Sequence, residues 1–417
     1  MHTKEKVEYQ PVPVRKLLLK MKNLSELMID LAYSAALFND KDLAEDVLEL
    51  EEQIDTLTYL LDMETMIAAR DAEDARILSG VTRVASATDK ISDAAADIAI
   101  IVLQDIGVHP IMAEIFERIE ERLARIRVSE KSSIIGRKIE DLDLASIGID
   151  IIAIRRGKDW IIDPEDEEKI RNGDVLIVRG TRNGINEFRG KAEDKTAEIR
   201  GAISKRLKGK KQFKKIVERL VELKSTSELM ISLAYSALML NSKELADEVY
   251  RLEEHVDELH TDFELLVLSS EFSKRDVKGI LGLIRLGVSA ERIADAAAEI
   301  AEVILRGIEP HPVLKMTIEE AEETVVYIRV SGNSPLINKT LREARIPEET
   351  GMWVLAIRRR GKCIRPKPDT KIKAGDILIA SGYSEGKEDL IKLAFPRIEH
   401  LDMEDIEINE EGEISRR

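Results

Sequence analysis

The sequence contains four pairs of carboxylate residues in which the two members stand four positions apart. Residues at this spacing lie on one face of a helix, about 6 Å from each other, and two like charges there cost a few tenths of a kcal/mol. Two such pairs on neighbouring helices therefore favour a cation between them, and oxygen ligands select hard ions such as Mg²⁺, Ca²⁺, Mn²⁺ or Fe³⁺. The pairs are Glu51 and Asp55, Asp89 and Asp93, Glu253 and Asp257, and Glu291 and Asp295.

A solvated acidic helix face is the alternative interpretation of these carboxylates. In that case nearby cations such as Lys90 and Arg292 serve as their partners. In a metal site, Asp97 and Glu299, one helical turn further along, would extend the ligand set. The residues alone leave both interpretations open.

The four pairs belong to an internal duplication with a shift of 202 residues. The stretch 25–55 recurs as 227–257, and 19 of its 31 positions are identical. The same shift carries Asp89 and Asp93 onto Glu291 and Asp295. Each copy therefore serves as an internal comparison for the other.

Length and composition limit the classes of protein. A chain of 417 residues is too long for one core, and about 150 residues per domain predicts two to four domains. The net charge of -16 argues against nucleic acid as the main partner, and the single cysteine, Cys363, excludes an internal disulfide and a cysteine-based zinc site. No apolar run reaches the ~18 residues of a membrane span, and no signal peptide is evident, so a cytoplasmic protein is expected.

Hydrophobic periodicity predicts helices in the first part of each copy. Apolar residues recur at helical spacing over 14–37, over a second helix that Asp40 would cap, and over about 73–106. The short connections predict an antiparallel three-helix unit, followed by a further short helix over 111–122. His109 and His311 each precede a proline at that helix start, where a turn or capping role is expected.

The second part of each copy has the pattern of short strands. Strands are predicted over 124–129, 149–154, 160–162 and 175–178, and in the second copy over 325–331, 353–358, 363–364 and 375–380. The predicted fold class is α+β, mainly α. The predicted domains are an N-terminal arm (1–13), a three-helix unit (14–122), a small lobe (123–189), a linker (190–212), a second unit (213–324), a second lobe (325–396) and an acidic tail (397–417).

This pattern resembles two known families joined end to end. The helical units, with their paired acidic motifs, resemble PhoU-type phosphate-signalling proteins, which are prokaryotic, and an archaeal source is expected. The lobes resemble the TrkA-C domain, the RCK C-terminal lobe of potassium-transport regulators, through the stretches 153–157, 173–178 and 333–341. Ser133 and Asn338 depart from that pattern. No G-x-G-x-x-G follows a strand, so the nucleotide-binding half that usually precedes TrkA-C is missing and no NAD binding is expected.

The resemblance implies site residues in both parts of the protein. In PhoU proteins the acidic motifs bind metal, which implies a divalent or trivalent ion (Mg, Mn, Ca or Fe) at the eight paired carboxylates. Related TrkA-C lobes pair to form a small-molecule site, in some cases for cyclic di-AMP, which implies a cyclic dinucleotide or similar ligand between the lobes. Two arginine clusters end core strands and are the predicted ligand-binding residues, with solvated strand ends as the alternative: Arg155, Arg156, Arg358 and Arg359.

The expected function is regulation of a membrane transporter or channel for potassium or phosphate, by a protein that does not itself span the membrane. A transporter partner could hold it at the membrane periphery. No recurrent catalytic motif is present, so no enzyme is predicted. The alternatives are a metal-dependent enzyme using the paired carboxylates and a ligand-free structural adaptor. His255 and His260 have no counterpart in the first copy and are expected to be incidental; assembly into a homo-oligomer stays open.

Overall fold

The computed structural model describes residues 9, 11–108, 122–193, 211–270, 276–307, 323–396, 406–408 and 414–416. Several predicted features lie wholly or mostly outside these ranges. They are the N-terminal arm, the short helix over 111–122 with His109, the equivalent His311, most of the lysine-rich linker and most of the acidic tail.

Six long helices form two three-helix units, and their bounds follow the duplication. The first unit contains α1 (Val14–Phe38), α2 (Lys41–Ala68) and α3 (Ala72–Leu103). After α4 (Arg182–Glu193), the second unit contains α5 (Lys211–Leu240), α6 (Lys243–Leu268) and α7 (Val277–Leu305). Asp40 accepts hydrogen bonds from the backbone N–H groups of Asp42 and Leu43, which confirms its predicted capping of α2.

The two units merge into one bundle because α3 packs along α7. Apolar side chains of all six helices belong to a single continuous core. At the edge of this contact Lys90 forms an ion pair with Glu299 at 2.5 Å, and Arg292 forms one with Asp97. The 202-residue shift exchanges these two pairs, so the units are related by an approximate two-fold axis. The predicted helical bundle is confirmed.

Each lobe contains a four-stranded antiparallel sheet with the same strand order. The first has the order β1-β4-β2-β3, with β1 (Arg122–Arg127), β2 (Ile149–Arg156), β3 (Asp159–Ile162) and β4 (Val175–Gly180). The second has the order β5-β8-β6-β7, with β5 (Glu323–Arg329), β6 (Met352–Arg359), β7 (Lys362–Ile364) and β8 (Ile377–Tyr383). Short helices complete the second lobe, and two short strands pair in the tail: α8 (Leu341–Ala344), α9 (Ile346–Thr350), α10 (Ser384–Ala394), β9 (Ile406–Ile408) and β10 (Ile414–Arg416).

A β-bulge in each sheet decides which side chains face the bundle. The register of β2 on β4 shifts between Ile151 and Ala153, and that of β6 on β8 shifts between Val354 and Ala356. After the bulge Ala153 packs into the bundle core, whereas its neighbour Ile154 packs into the lobe's own core. A bulge adds one residue and so reverses the alternation of faces along the strand. Ordinary alternation points the two consecutive arginines at the end of each strand to opposite faces, and the bulge decides which of them faces the bundle.

The predicted pairing of the two lobes of one chain is not among the extended contacts of the described residues. Within the described ranges, the extended contacts of each sheet are with its own lobe and with the bundle, and none joins the first lobe to the second. The first lobe packs on α1 through β1 and β3, and the second packs on α5 through β5, β6 and β7. One apolar face of each sheet is instead buried against the helices.

None of the helices in the described part of the chain has the length and apolar content needed to cross a membrane.

Candidate functional site

Three of the predicted carboxylates come together in the second unit. Glu253 and Asp257 lie one turn apart on α6, and Asp295 faces them from α7. One carboxylate oxygen from each residue lies within 4.8 Å of the other two. The helical periodicity explains the arrangement, because α6 and α7 pack side by side and bury the apolar residues that flank these acids.

The electrostatics of this carboxylate cluster favour a bound positive charge. Burial raises the pKa of Glu253, and repulsion from Asp257 and Asp295 raises it further. Burial also raises the pKa of Asp295, with repulsion from Asp257 and Glu299 adding to it. A raised carboxyl pKa means that the negative form is destabilised where it stands. A cation would relieve that cost.

Glu291 and His260 lie beside the same cluster. Burial and then the charge of Asp295 raise the pKa of Glu291, while His260 lowers it. The Nε2 atom of His260 is buried and has no hydrogen-bond partner among the described residues; its contact with Glu264 Oε1 is 3.8 Å long. His260 was expected to be incidental because it has no counterpart in the first copy, where Thr58 stands. Its place beside the carboxylates is therefore particular to the second unit.

The donor set fits a metal ion. Oxygen ligands at about 2.3–2.6 Å from a cation can lie up to about 5 Å from each other, which accommodates the spacing of the three oxygens. Three carboxylates suit a hard divalent ion, and an imidazole nitrogen beside them suits a transition metal such as manganese, iron or zinc.

The equivalent carboxylates of the first unit are arranged differently. Glu51 and Asp55 lie on α2, and Asp89 and Asp93 lie on α3. Each of the four has an electrostatic or hydrogen-bond partner, and Thr58 Oγ1 donates to Asp89 Oδ1 at 3.5 Å. Among the residues that the structure describes, the close grouping of three acids forms in the second unit and not in the first.

Asp97 and Glu299 are not among the three acids that the structure brings together. Both are held in the ion pairs that join α3 to α7. Their partners are Arg292 and Lys90, the two cations expected on an acidic helix face. Each of these ion pairs crosses the boundary between the two units. Lys90 also lowers the pKa of Asp295, so the first unit contributes a positive charge beside the cluster of the second.

The predicted ligand-binding arginines of the first lobe lie in ion pairs. Arg155 bonds Asp46 Oδ1 on α2 at 2.7 Å and also contacts Glu49. Arg156 faces its own lobe, where it bonds Asp174 at 2.9 Å and Glu168 at 2.8 Å. Asp46 and Asp174 are both buried. One arginine thus fastens the lobe to the bundle, and the other fastens two loops of the lobe.

The second lobe repeats this division with fewer carboxylates. Arg358 bonds Glu248 Oε2 on α6 at 2.5 Å and lies over the ring of Tyr327, and Arg359 bonds Asp376 Oδ2 at 2.7 Å. The thiol of Cys363 donates to Glu248 Oε1 at 2.9 Å. Burial, and then the negative charge of Glu248, raise the pKa of this thiol. The sequence signal for the buried partners was weak, because Asp46 and Glu248 look like ordinary polar positions on a helix.

Fold and site together define a duplicated helical bundle with a carboxylate cluster and two sheet lobes fastened to it. The PhoU domain matches residues 18–102 and 220–304, and the TrkA-C domain matches residues 123–192 and 325–394. The chain is therefore a tandem PhoU and TrkA-C domain protein, as the sequence analysis predicted.

Individual relatives match either the lobes or the bundle. The Ktr system potassium uptake protein C of Bacillus subtilis is 37% identical over 71 residues, which is 17% of this chain and 32% of that protein. Potassium channel protein 1 of Methanocaldococcus jannaschii is 44% identical over 70 residues, 16% of this chain and 21% of that protein. The chain thus spans about a third or less of these relatives.

Two solved structures are also similar to parts of this chain. The crystal structure of PhoU from Pseudomonas aeruginosa is 19% identical, with a TM-score of 0.37, over 70% of this chain and 96% of that one. The RCK C domain of the potassium transport protein KtrA, in complex with cyclic diadenosine monophosphate, is 36% identical, with a TM-score of 0.16, over 19% of this chain and 92% of that one.

Proposed function

We propose that this chain is a ligand-responsive regulator of a membrane transport system for potassium or phosphate ions. The observation that carries the proposal is the combination, in one chain, of PhoU domains with TrkA-C domains, a stretch of which is 37% identical to part of a potassium uptake protein. The partner would be a transporter or channel. A regulator acts by changing the stability of a complex, so it needs a site for its ligand and a surface for its partner.

The metal site in this proposal is the carboxylate cluster of Glu253, Asp257 and Asp295. Glu291 and His260 are the neighbours best placed to complete the ligand set, which makes the site more selective than oxygen ligands alone. The metal would neutralise the cluster and fix the packing of α6 on α7. The first-unit residues Glu51, Asp55, Asp89 and Asp93 remain predicted ligands, without the same support from geometry.

The route from the bundle to the lobes runs through buried ion pairs. Glu248 lies on α6, five residues before Glu253, and bonds Arg358 of the second lobe. A shift of α6 on metal binding would therefore move the carboxylate that holds the lobe. The equivalent pair of Asp46 and Arg155 fastens the first lobe to α2.

Metal binding is tested by removing one ligand in each unit. The chelator-treated protein, and its Asp295→Asn and Asp93→Asn variants, would be titrated with Mn²⁺, Zn²⁺, Mg²⁺ and Ca²⁺ while the melting temperature is followed. We expect Mn²⁺ or Zn²⁺ to raise the melting temperature of the unchanged protein and of Asp93→Asn, since a ligand that prefers the native state stabilises it. Asp295→Asn should lose the effect. Equal responses from all three proteins would contradict the assignment to the second unit.

Transporter binding is tested by affinity capture from membranes of the same source, with and without the metal. We expect an ion transporter or channel subunit to be retained, with an occupancy that depends on the ligand. Retention of no transport protein under any of these conditions would overturn the regulatory proposal, whatever the outcome of the metal titration.

A further inference from the structure

A large cleft separates the second lobe from the helices that support it. It has a volume of about 1000 Å³ and lies between α5 and α6 on one side and the β6–β7 hairpin with its following loop on the other. A smaller cavity of about 600 Å³ adjoins it and shares residues 358–361 with it. We refer to the larger space as the lobe cleft.

The lobe cleft is strongly basic although the protein as a whole is acidic. Two glutamates line it, Glu222 and Glu248, against seven lysines and arginines. The adjoining cavity adds two cations, Arg329 and Lys373, and one acid, Asp376. In a chain of net charge -16, such a concentration of cations repels itself unless an anion is close. The seven basic residues of the cleft are Arg251, Arg358, Arg359, Arg360, Lys362, Arg365 and Lys367.

Part of this charge is compensated within the protein and part is not. Arg358 and Arg251 are paired with Glu248, Lys362 with Glu222, Arg365 with Glu228 and Arg359 with Asp376. By contrast, the exposed side chain of Arg360, at the tip of the hairpin, has no ion-pair partner within the described ranges. The rim of the cleft therefore offers a ligand Arg360, together with Lys362, whose side chain is 68% exposed beside Glu222.

The first copy shows that this charge is not required by the fold. Strand register places Asp159 opposite Arg156 where Lys362 lies opposite Arg359. The 202-residue shift relates Glu49 to Arg251, and Glu165 to Lys367. Three acidic positions of the first copy have thus become basic in the second, while the strands and helices around them are the same.

The two copies also differ in side-chain size at the same hairpin. Trp160 stands opposite Arg155 in the first hairpin, and Cys363 stands opposite Arg358 in the second. The indole of Trp160 packs against the bundle core. The smaller thiol of Cys363 leaves space that becomes part of the lobe cleft. Charge and volume have therefore changed together at one place.

We propose that the lobe cleft binds an anion with two or more linked phosphate groups. Its volume exceeds what one phosphate fills, its cations are spread over two sides, and arginine forks match phosphate oxygens. Leu229, Leu252 and Ile364 also line it and offer an apolar surface to an organic group such as a nucleoside. The inference refines the ligand-sensing part of the proposed function and places that ligand at one lobe rather than between two.

The consequence of binding follows from the shared arginines. Phosphate oxygens near Arg251 and Arg358 would compete with Glu248, which bonds both of them, at 3.4 Å and 2.5 Å. Glu248 would keep the Cys363 thiol as a donor. Binding would therefore loosen the attachment of the second lobe to α6 and leave the first lobe unchanged.

The test measures binding of ATP, pyrophosphate and inorganic phosphate to the full chain by calorimetry, in chelator so that the carboxylate cluster takes no part. We expect pyrophosphate or ATP to bind and phosphate to bind more weakly. Stronger binding of ATP than pyrophosphate would identify a nucleotide ligand, and equal binding a ligand recognised through phosphates alone. The double variant Lys362→Asp with Lys367→Glu restores first-copy charges, and we expect it to weaken binding about tenfold or more, equivalent to ~1.4 kcal/mol.

Two further variants keep the test independent of folding effects. Lys131→Glu with Lys339→Glu makes the same change in net charge at exposed sites outside the cleft, and we expect an affinity within about twofold of the unchanged protein. Cys363→Trp fills the cleft without changing charge and should abolish ATP binding. Absence of binding by ATP and pyrophosphate alike would overturn the proposal, as would equal losses in the cleft and control variants. Neither result would bear on capture of a transporter.

Discussion

Asp46 and Glu248 stand at equivalent positions of α2 and α6, and each accepts arginine side chains from a sheet. Asp46 is about 1% exposed and bonds both Arg125 and Arg155. Burial raises the pKa of Asp46, and the two arginines act against that shift. A buried carboxylate of this kind contributes little net stability, but its removal leaves its cationic partners without compensation.

We therefore expect Asp46→Ala to lower the free energy of unfolding by about 2 kcal/mol. Asp42→Ala is the matched control, because the side chain of Asp42 is 71% exposed and lies 3.7 Å from the same Arg125. Its effect should stay within about 0.5 kcal/mol. Chemical denaturation of both variants measures the difference. Similar losses in the two variants would show that the buried pair has no special role.

Loss of the carboxylate of Asp295 should raise stability when no metal is bound, in contrast to the loss of stability expected at Asp46. Without metal, Asp295→Asn removes repulsion from Asp257 and Glu253, so the variant should be more stable than the unchanged protein by a few tenths of a kcal/mol in chelator. With metal present the order should reverse. Thermal denaturation in chelator and in Mn²⁺ makes both comparisons. A destabilised variant in chelator would mean that Asp295 is held by attractive contacts instead.

At the scale of elements, a glycine lets α7 pack closely against the segment that follows α3. Gly282 on α7 lies against the backbone carbonyl of Gly107, just after the end of α3, and a Cβ atom there would overlap with that oxygen. The small residue lets the two helices of the unit boundary pack near their ends. Sequence periodicity predicted both helices but gave no reason for glycine inside the second one.

Gly282→Ala should therefore destabilise the protein by about 1–3 kcal/mol, although alanine is the better helix former. Gly190→Ala in α4 is the control, because no heavy atom lies within 4 Å of its added Cβ. That change should be neutral or stabilise by up to about 1 kcal/mol. Equilibrium unfolding of the two variants measures the contrast, and a stabilising Gly282→Ala would refute the close approach.

At the scale of the molecule, the duplication has become a near-symmetric assembly in one chain. The ion pairs of Lys90 with Glu299 and of Asp97 with Arg292 are exchanged by the two-fold axis. In the core beside them the hydroxyl groups of Thr88 and Tyr235 hydrogen-bond across the unit boundary at 2.6 Å. The symmetry is broken where the second unit holds the carboxylate cluster and the basic cleft.

A charge exchange tests the contact between the units. Lys90→Glu should lower stability, because it places two acids together and removes a cation near Asp295. Adding Glu299→Lys should recover about 0.5 kcal/mol of the loss, which is typical of an exposed pair. A double-mutant cycle by chemical denaturation measures this coupling. No recovery in the double variant would mean that the pair contributes nothing to joining the units.

Local patterns were sufficient for the elements of this fold. Helical and strand periodicity depend on neighbouring residues only, and each pattern occurs once in each copy of the duplication. The cap at Asp40 and the hairpin of β2 and β3 could be predicted from the sequence for the same reason. The family resemblance then supplied the arrangement of units and lobes.

What the sequence by itself determined is the set of elements, their duplication and the residues that could bind a metal. Only the tertiary structure decided that three acids of the second unit meet, that the arginines fasten loops and lobes, and that a basic cleft opens beside Cys363. Those outcomes depend on how each helix is rotated and on one extra residue in a strand. Both are fixed by packing between residues far apart in the chain, which no local pattern records.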